Sequence, residues 1–368
     1  MSPIAYASIS DTVITTEKLK GSSVPSARYS GLPQNASTSE TFKAILQDFL
    51  EGINVDHTLA PPPFNQALFN LLKDRLDRLL ADGTIEPKHY KHLMHLTPTS
   101  VDFATIIYRS FPIEIQELVA LYTIYYVYLD DNTENNPSVF LPELRKFVFL
   151  MTGSHVEVCD PITRLAADLV RIEAPRLYNG YGAGIIIKSS LDFAMGLMVE
   201  ALSELKDPDG KVIAEYGKRD SIGTVEKYAR FLRLKTGVSE AYAQFLFPKC
   251  KFPNEDDTLL AILPLFSPIM DNIDQGNDIL SYYKESVVGD DKQTYFEMLE
   301  RMTGVDKLLW LKKECDKQVG LVRGMRKMLV DNPLVLGIYE DFVDGYVRWH
   351  CNASRHRLGE IGFGASKK

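Results

Sequence analysis

From Thr41 onward the apolar residues of this chain recur every three and four positions, the spacing of helices with one buried face. Phe42, Ile45, Leu46, Phe49 and Leu50 form the first stripe, and Pro61-Pro62-Pro63 breaks the chain beyond it. A second stripe, Leu68, Leu71, Leu72, Leu76, Leu79 and Leu80, ends at Gly83. Pro112 opens a long helix through Ile115, Leu118, Val119, Tyr122, Tyr126 and Asp130, because proline suits a first helical position. Further helices are predicted over about 138–152, after Asp160-Pro161, and over about 185–204. Another runs from about 224 to a break at Gly237 and resumes to Phe247; two more cover about 304–330 and 334–352. Asp207-Pro208-Asp209-Gly210 reads as a turn. Ser267-Pro268 reads as an N-cap with proline in the first turn, opening the helix that carries Asn277. No set of strands and no internal repeat emerges. The expected fold class is therefore all-α, with one helical domain over 39–360, a flexible Ser/Thr/Pro/Gly-rich arm over 1–38 and a tail over 361–368.

Composition narrows the function. At 368 residues and 45% hydrophobic, the chain can bury a large core. A net charge of -8 argues against nucleic acid as a partner. The cysteines, Cys159, Cys250, Cys315 and Cys351, include no CxxC pair and read as reduced thiols. No basic start precedes an apolar run, and no stretch approaches the roughly 18–20 apolar residues that cross a bilayer, so a cytoplasmic protein is expected. The sequons at Asn35 and Asn352 are read as chance matches.

The chemistry concentrates in three stretches. Asn277, Ser281 and Glu285 stand at i, i+4 and i+8, one helix face, above Ile269 and Ile273. An amide oxygen, a hydroxyl and a carboxylate suit Mg2+, which shares its oxygen ligands with phosphates; Lys284 adds a cation beside them. The plain alternative is an amphipathic helix with a polar end. In Tyr128-Leu129-Asp130-Asp131-Asn132-Thr133-Glu134, Asp130 and Glu134 can face one ion while Asp131 points elsewhere. Carboxylates this close repel unless a cation joins them. The third stretch, Gly345 to Leu358, ends in Arg355 and Arg357, which could grip a diphosphate or simply complement a helix C-terminus. His89, His92 and His95 are spaced too far around a helix to share one zinc ion, have no acidic partner nearby in sequence, and read as polar helix surface.

These motifs carry a resemblance. Asp130-Asp131-x-x-Glu134 and Asn277-Asp278-x-x-Ser281-x-x-x-Glu285 resemble the paired metal motifs of fungal class I sesquiterpene cyclases of the trichodiene synthase family. The likeness continues in Phe231-Leu232-Arg233, Pro248-Lys249, Gly345-Tyr346-Val347-x-Trp349-His350 and Arg355-x-Arg357-Leu358-x-Glu360. It implies a single-domain terpenoid synthase helical bundle around a deep apolar cavity, with farnesyl diphosphate as substrate and Mg2+ as cofactor. It assigns the metal to Asp130, Glu134, Asn277, Ser281 and Glu285, and diphosphate contacts to Arg355, Lys284 and Lys188. Tyr122, Tyr126, Phe193 and Trp349 become candidates for the aromatic wall. A homodimer is left open; no membrane is implied. Two departures stand out: the family's Arg-Tyr pair reads Arg355-His356, and Lys188 occupies a helix position where an arginine is expected. Both point to a relative with another product, for which a longiborneol synthase-like protein is one option. Lys188 could equally pair with Asp192, four residues on. A helical binding protein that kept the fold and lost turnover is the alternative from another class. A helical metal phosphohydrolase is disfavoured, since no histidine accompanies either acidic motif.

Overall fold

The computed structural model of the chain describes residues 37–219, 224–289, 291 and 293–365, and most of the expected N-terminal arm lies outside them. Ser37 caps α1 (Thr38–Ile53): its hydroxyl accepts from the Glu40 N–H, and the Glu40 carboxylate accepts from the Ser37 N–H at 2.9 Å. α2 (Gln66–Ala81), α3 (Pro87–Ile107), α4 (Ile113–Asn135), α5 (Pro137–Met151), α6 (Pro161–Asp168) and α7 (Ala174–Leu177) follow. α8 (Gly180–Lys206), α9 (Lys211–Lys218), α10 (Thr224–Thr236) and α11 (Ser239–Gln244) lead into α12 (Glu255–Tyr282). α13 (Tyr295–Thr303), α14 (Lys307–Met328) and α15 (Pro333–Asn352) complete the helices. The described residues contain no strand, and the fold is all-α.

α4 is the central element. Leu118, Val119, Ala120, Leu121, Tyr122, Ile124, Tyr125 and Tyr126 are all buried, so its middle is enclosed on every side but the half-buried one of Thr123 and Val127. α3, α5, α6 and α8 pack around it, while α15 lies on α3 and α12 packs against α11 and α14. The α15–α3 crossing is close: a Cβ on Gly345 would stand 2.5 Å from the Ile106 carbonyl oxygen. Glycine at this point lets the two backbones touch. Tyr346, the next residue, then donates its hydroxyl to the Ile273 carbonyl of α12 at 2.8 Å.

The sequence expectation for α12 needs correction. Ser267-Pro268 does not open a helix; α12 starts at Glu255 and runs through both Pro264 and Pro268. Each proline frees a carbonyl four residues back. Those carbonyls belong to exposed Leu260 and to Pro264, on the side of α12 that faces water. The opposite face buries Ile262, Leu265, Phe266 and Ile269, and Glu255, Asp256 and Asp257 complement the helix N-terminus. Core packing thus carries the helix across two residues that normally end one. The predicted break at Gly237 does form, with Val238 in the left-handed region at φ 46°. The predicted tail is partly folded: Phe363 is buried, its ring lies 5.0 Å from that of His57, and the Gly364 N–H donates to His57. Among the described residues no helix is long and apolar enough to cross a membrane.

Candidate active site

Three helices carry the same stripe, apolar first and oxygen-rich after. On α4 it reads Tyr126, Val127, Asp130, Glu134; on α12, Ile273, Asn277, Ser281. The third was not anticipated: Phe193, Leu197, Glu200 and Glu204 on α8. Their three- and four-residue spacing was readable in the sequence, but no motif marked it. All of these residues, with Phe103, Arg233, Tyr242, Tyr346, Trp349, Arg355 and His356, line one cavity of about 1110 Å3. Its aromatic end is buried, whereas Asp130, Glu134 and Arg355 are exposed, so the oxygen donors and cations sit at the mouth.

The α12 motif departs from a simple α-helical ladder. Glu285 falls within a π-helical turn, Tyr283–Val287, that continues α12. Such turns add a residue to the helical cycle and often mark functional sites. α1 supports this turn, since Phe42 stacks on Tyr282 at 5.3 Å and on Tyr283 at 6.1 Å. Lys284 pairs with Glu285 at 3.1 Å. Ser281 Oγ lies 3.2 Å from His356 Nδ1, and the buried His356 Nε2 has no protein partner. Asn277 lies between His350, 3.3 Å from its nitrogen, and Arg233, which donates to its oxygen at 3.1 Å.

Arg233 is the residue to which the sequence assigned no role. It is nearly buried, donates to Asp278 at 2.8 Å and approaches Asp274 at 3.7 Å. No local spacing could reveal this, because its partners belong to another helix.

The charges at the mouth do not balance. Asp130 touches solvent yet is crowded by protein atoms and by Asp131 and Glu134, and its carboxyl is pushed up to about 7. Burial raises Glu285 to about 7 against the pull of Lys284, and Asp278 to about 7 against that of Arg233. Glu200 rises to about 8 through burial and the nearby Asp130. Glu134 is raised by burial and by Asp291. Carboxylates held above their ordinary range in one water-accessible space lack counter-charge, which a bound cation would supply. Burial instead lowers the imidazoles of His350, to about 3, and His356.

Several predicted residues are placed elsewhere. Lys188 is not among the cavity-lining residues. Asp192 at 3.2 Å and Glu240 at 2.5 Å hold its ammonium on the outer side of α8, so the expected diphosphate contact is not formed by position. Tyr122 stands behind the wall, stacked under Tyr126 with centroids 3.9 Å apart, while Tyr126, Phe193 and Trp349 face the cavity as expected. Arg357 turns to Glu360 at 2.7 Å. The three histidines of α3 diverge and are not a uniform polar surface: His89 is buried at the start of its own helix, and His95 borders the cavity. His92 does have an acidic partner, Asp131, at 2.8 Å, brought to it from α4.

The family model for trichodiene synthase matches residues 81–367. The chain belongs to the trichodiene synthase family. It is 26% identical over 275 residues to an (E)-beta farnesene synthase of Metarhizium brunneum, covering 74% of this chain and 76% of that protein. It is 28% identical over 252 residues to a longiborneol synthase of Gibberella zeae, covering 68% and 69% respectively. With monoterpene synthase 25 of Postia placenta the identity is 24% over 361 residues, or 96% of each chain.

For a member of the trichodiene synthase family, the donor set at the mouth fits a hard divalent cation. The atoms of Asp130, Glu134, Asn277, Ser281 and Glu285 able to ligate it are all oxygens, and they line one cavity. Among the described residues, no three His, Cys, Asp or Glu side chains converge closely enough to hold a metal by themselves.

Proposed function

We propose that this protein is a sesquiterpene synthase that ionises farnesyl diphosphate, cyclises the resulting cation and releases diphosphate. The observation that carries the reading is one large cavity, aromatic at its buried end and ringed at its mouth by oxygen donors and by Arg233, Lys284 and Arg355. An isoprenoid diphosphate has that same polarity. Asp130, Glu134, Asn277, Ser281 and Glu285 would hold Mg2+, which offsets the charge on the departing diphosphate. Arg233, Lys284 and Arg355 meet the remaining phosphate oxygens. The allylic C–O bond breaks with its electron pair going to the diphosphate oxygen. The cation left behind folds against Phe103, Tyr126, Phe193, Tyr242 and Trp349, whose ring faces stabilise it by roughly 0.5–2 kcal/mol each. Loss of a proton gives a hydrocarbon; capture of water followed by loss of one of its protons gives an alcohol.

One relative is a monoterpene synthase, and this favours a second reading in which the substrate is a ten-carbon diphosphate. Incubation with farnesyl and geranyl diphosphates, each with and without Mg2+, followed by gas chromatography–mass spectrometry, decides the matter. A cyclic fifteen-carbon product formed only with Mg2+ is the expected result. Turnover of geranyl diphosphate alone would establish the second reading. Substrate binding without turnover of either would leave a binding protein.

A further inference from the structure

We infer that His350 is a positioning residue that keeps the oxygen of the Asn277 amide, rather than its nitrogen, turned toward the metal-binding mouth. The inference rests on the reading of Asn277 as a metal ligand. A primary amide has one end that can bind Mg2+ and one that cannot, and on a helix surface either can face a given side. Two contacts determine the choice. The Arg233 guanidinium only donates, so the Asn277 atom 3.1 Å from its Nη2 must be the oxygen. The amide nitrogen then faces His350 Nε2 at 3.3 Å, which must accept. The rest of the ring agrees. His350 Nδ1 lies 2.8 Å from the Tyr346 carbonyl oxygen, which can only accept, so the proton sits on Nδ1 and Nε2 is bare.

The imidazole is fully buried, and its ring is enclosed by Tyr346 at 4.4 Å, Trp349 at 4.7 Å and His356 at 4.5 Å. It cannot turn over without breaking this packing. Arg233 is a less durable guide, since the same guanidinium faces the cavity and meets the diphosphate in the reading above. His350 has no such second role, so its contact with the amide does not compete with substrate.

Titration of Mg2+ into the full-length protein with inorganic diphosphate, followed by calorimetry, tests this without turnover. His350→Phe is expected to raise the Mg2+ requirement at least about tenfold, and His350→Gln, which can still accept, by less than about threefold. In an Asn277→Asp background, where both oxygens accept, His350→Phe should add less than about twofold. An equal effect in both backgrounds, or no effect of His350→Phe, overturns the inference. Nitrogen-15 NMR of histidine-labelled, unsubstituted protein provides a readout that needs no variant to fold, apart from assignment through His350→Gln. The Nδ1-protonated tautomer is expected, and an Nε2-protonated ring overturns the inference. Failure of the unsubstituted protein to bind Mg2+ and diphosphate at all would remove the reading of the site itself, and is thereby distinguished from failure of the His350 role.

Discussion

Two clusters of charge share α8 and α10 and differ in one respect. On the outer side of α8, Lys188 meets Asp192 and Glu240, and Lys235 meets the other oxygen of Asp192. Two ammonium groups there face two carboxylates, and the cluster is complete within the protein. At the cavity mouth Asp130, Glu134, Glu200, Asp278, Glu285 and Asp291 face only Arg233, Lys284 and Arg355, so even with Asp278 and Glu285 paired the cluster is short of positive charge. A cluster that neutralises itself ties α8 to its neighbours. One that does not leaves room for a cation from solution. The contrast also explains why a lysine in an apolar stretch was a poor guide to the substrate: its needs were met by the next turn and the next helix.

The strongest way to sharpen the contrast is to remove one charge from the incomplete cluster without changing shape. Asp130→Asn and Glu285→Gln should each lower kcat/KM by at least about 100-fold, near 2.7 kcal/mol of transition-state stabilisation. Their melting temperatures should stay level or rise, because each substitution relieves repulsion. Normal turnover, or unfolding, would remove the metal role. A smaller effect is expected from the complete cluster. Lys188→Gln should cost about 0.5–1 kcal/mol of stability, given that the lysine side chain is 57% exposed, and leave turnover within about twofold. A sharp loss of turnover at an unchanged melting temperature would break the contrast and return Lys188 to the diphosphate.

The smallest effect concerns pH. Asp130 and Glu285 are held up to about 7 and Glu200 to about 8 in the folded protein, above the usual range of about 4 for unfolded carboxylates. At these carboxylates the folded state therefore binds more protons between about pH 4 and 8, and their contribution to stability falls as pH rises through that window, outweighing the opposite trend of the buried His350 and His356. Melting of the metal-free protein should drop from pH 6 to pH 8, and Mg2+ with diphosphate should flatten the slope. A slope that ignores both additions would mean that these carboxylates meet no metal.

Much of the chain was legible from local spacing. Phe42 to Leu50 and Ile115 to Tyr126 specify helices and their buried sides, and they do so because i to i+4 neighbours touch within one helix. Asn277 and Ser281 share a face for the same reason, and Gly237 breaks its helix where glycine permits it. The α12 start was misread at Ser267-Pro268 because local propensity was overruled by the Ile262, Leu265, Phe266 and Ile269 face packing into the core. Arg233 against Asp278, His92 against Asp131, and His350 against Asn277 depend on how far each helix is rotated about its axis where two of them cross. The same holds for Glu200 facing Asp130 across the cavity. The sequence by itself determined the helices, their apolar stripes and the order of oxygen donors along them. The tertiary structure alone decided which donors share a space and which charges are already satisfied, because side chains on different helices meet only through packing, and no spacing within one helix encodes that rotation.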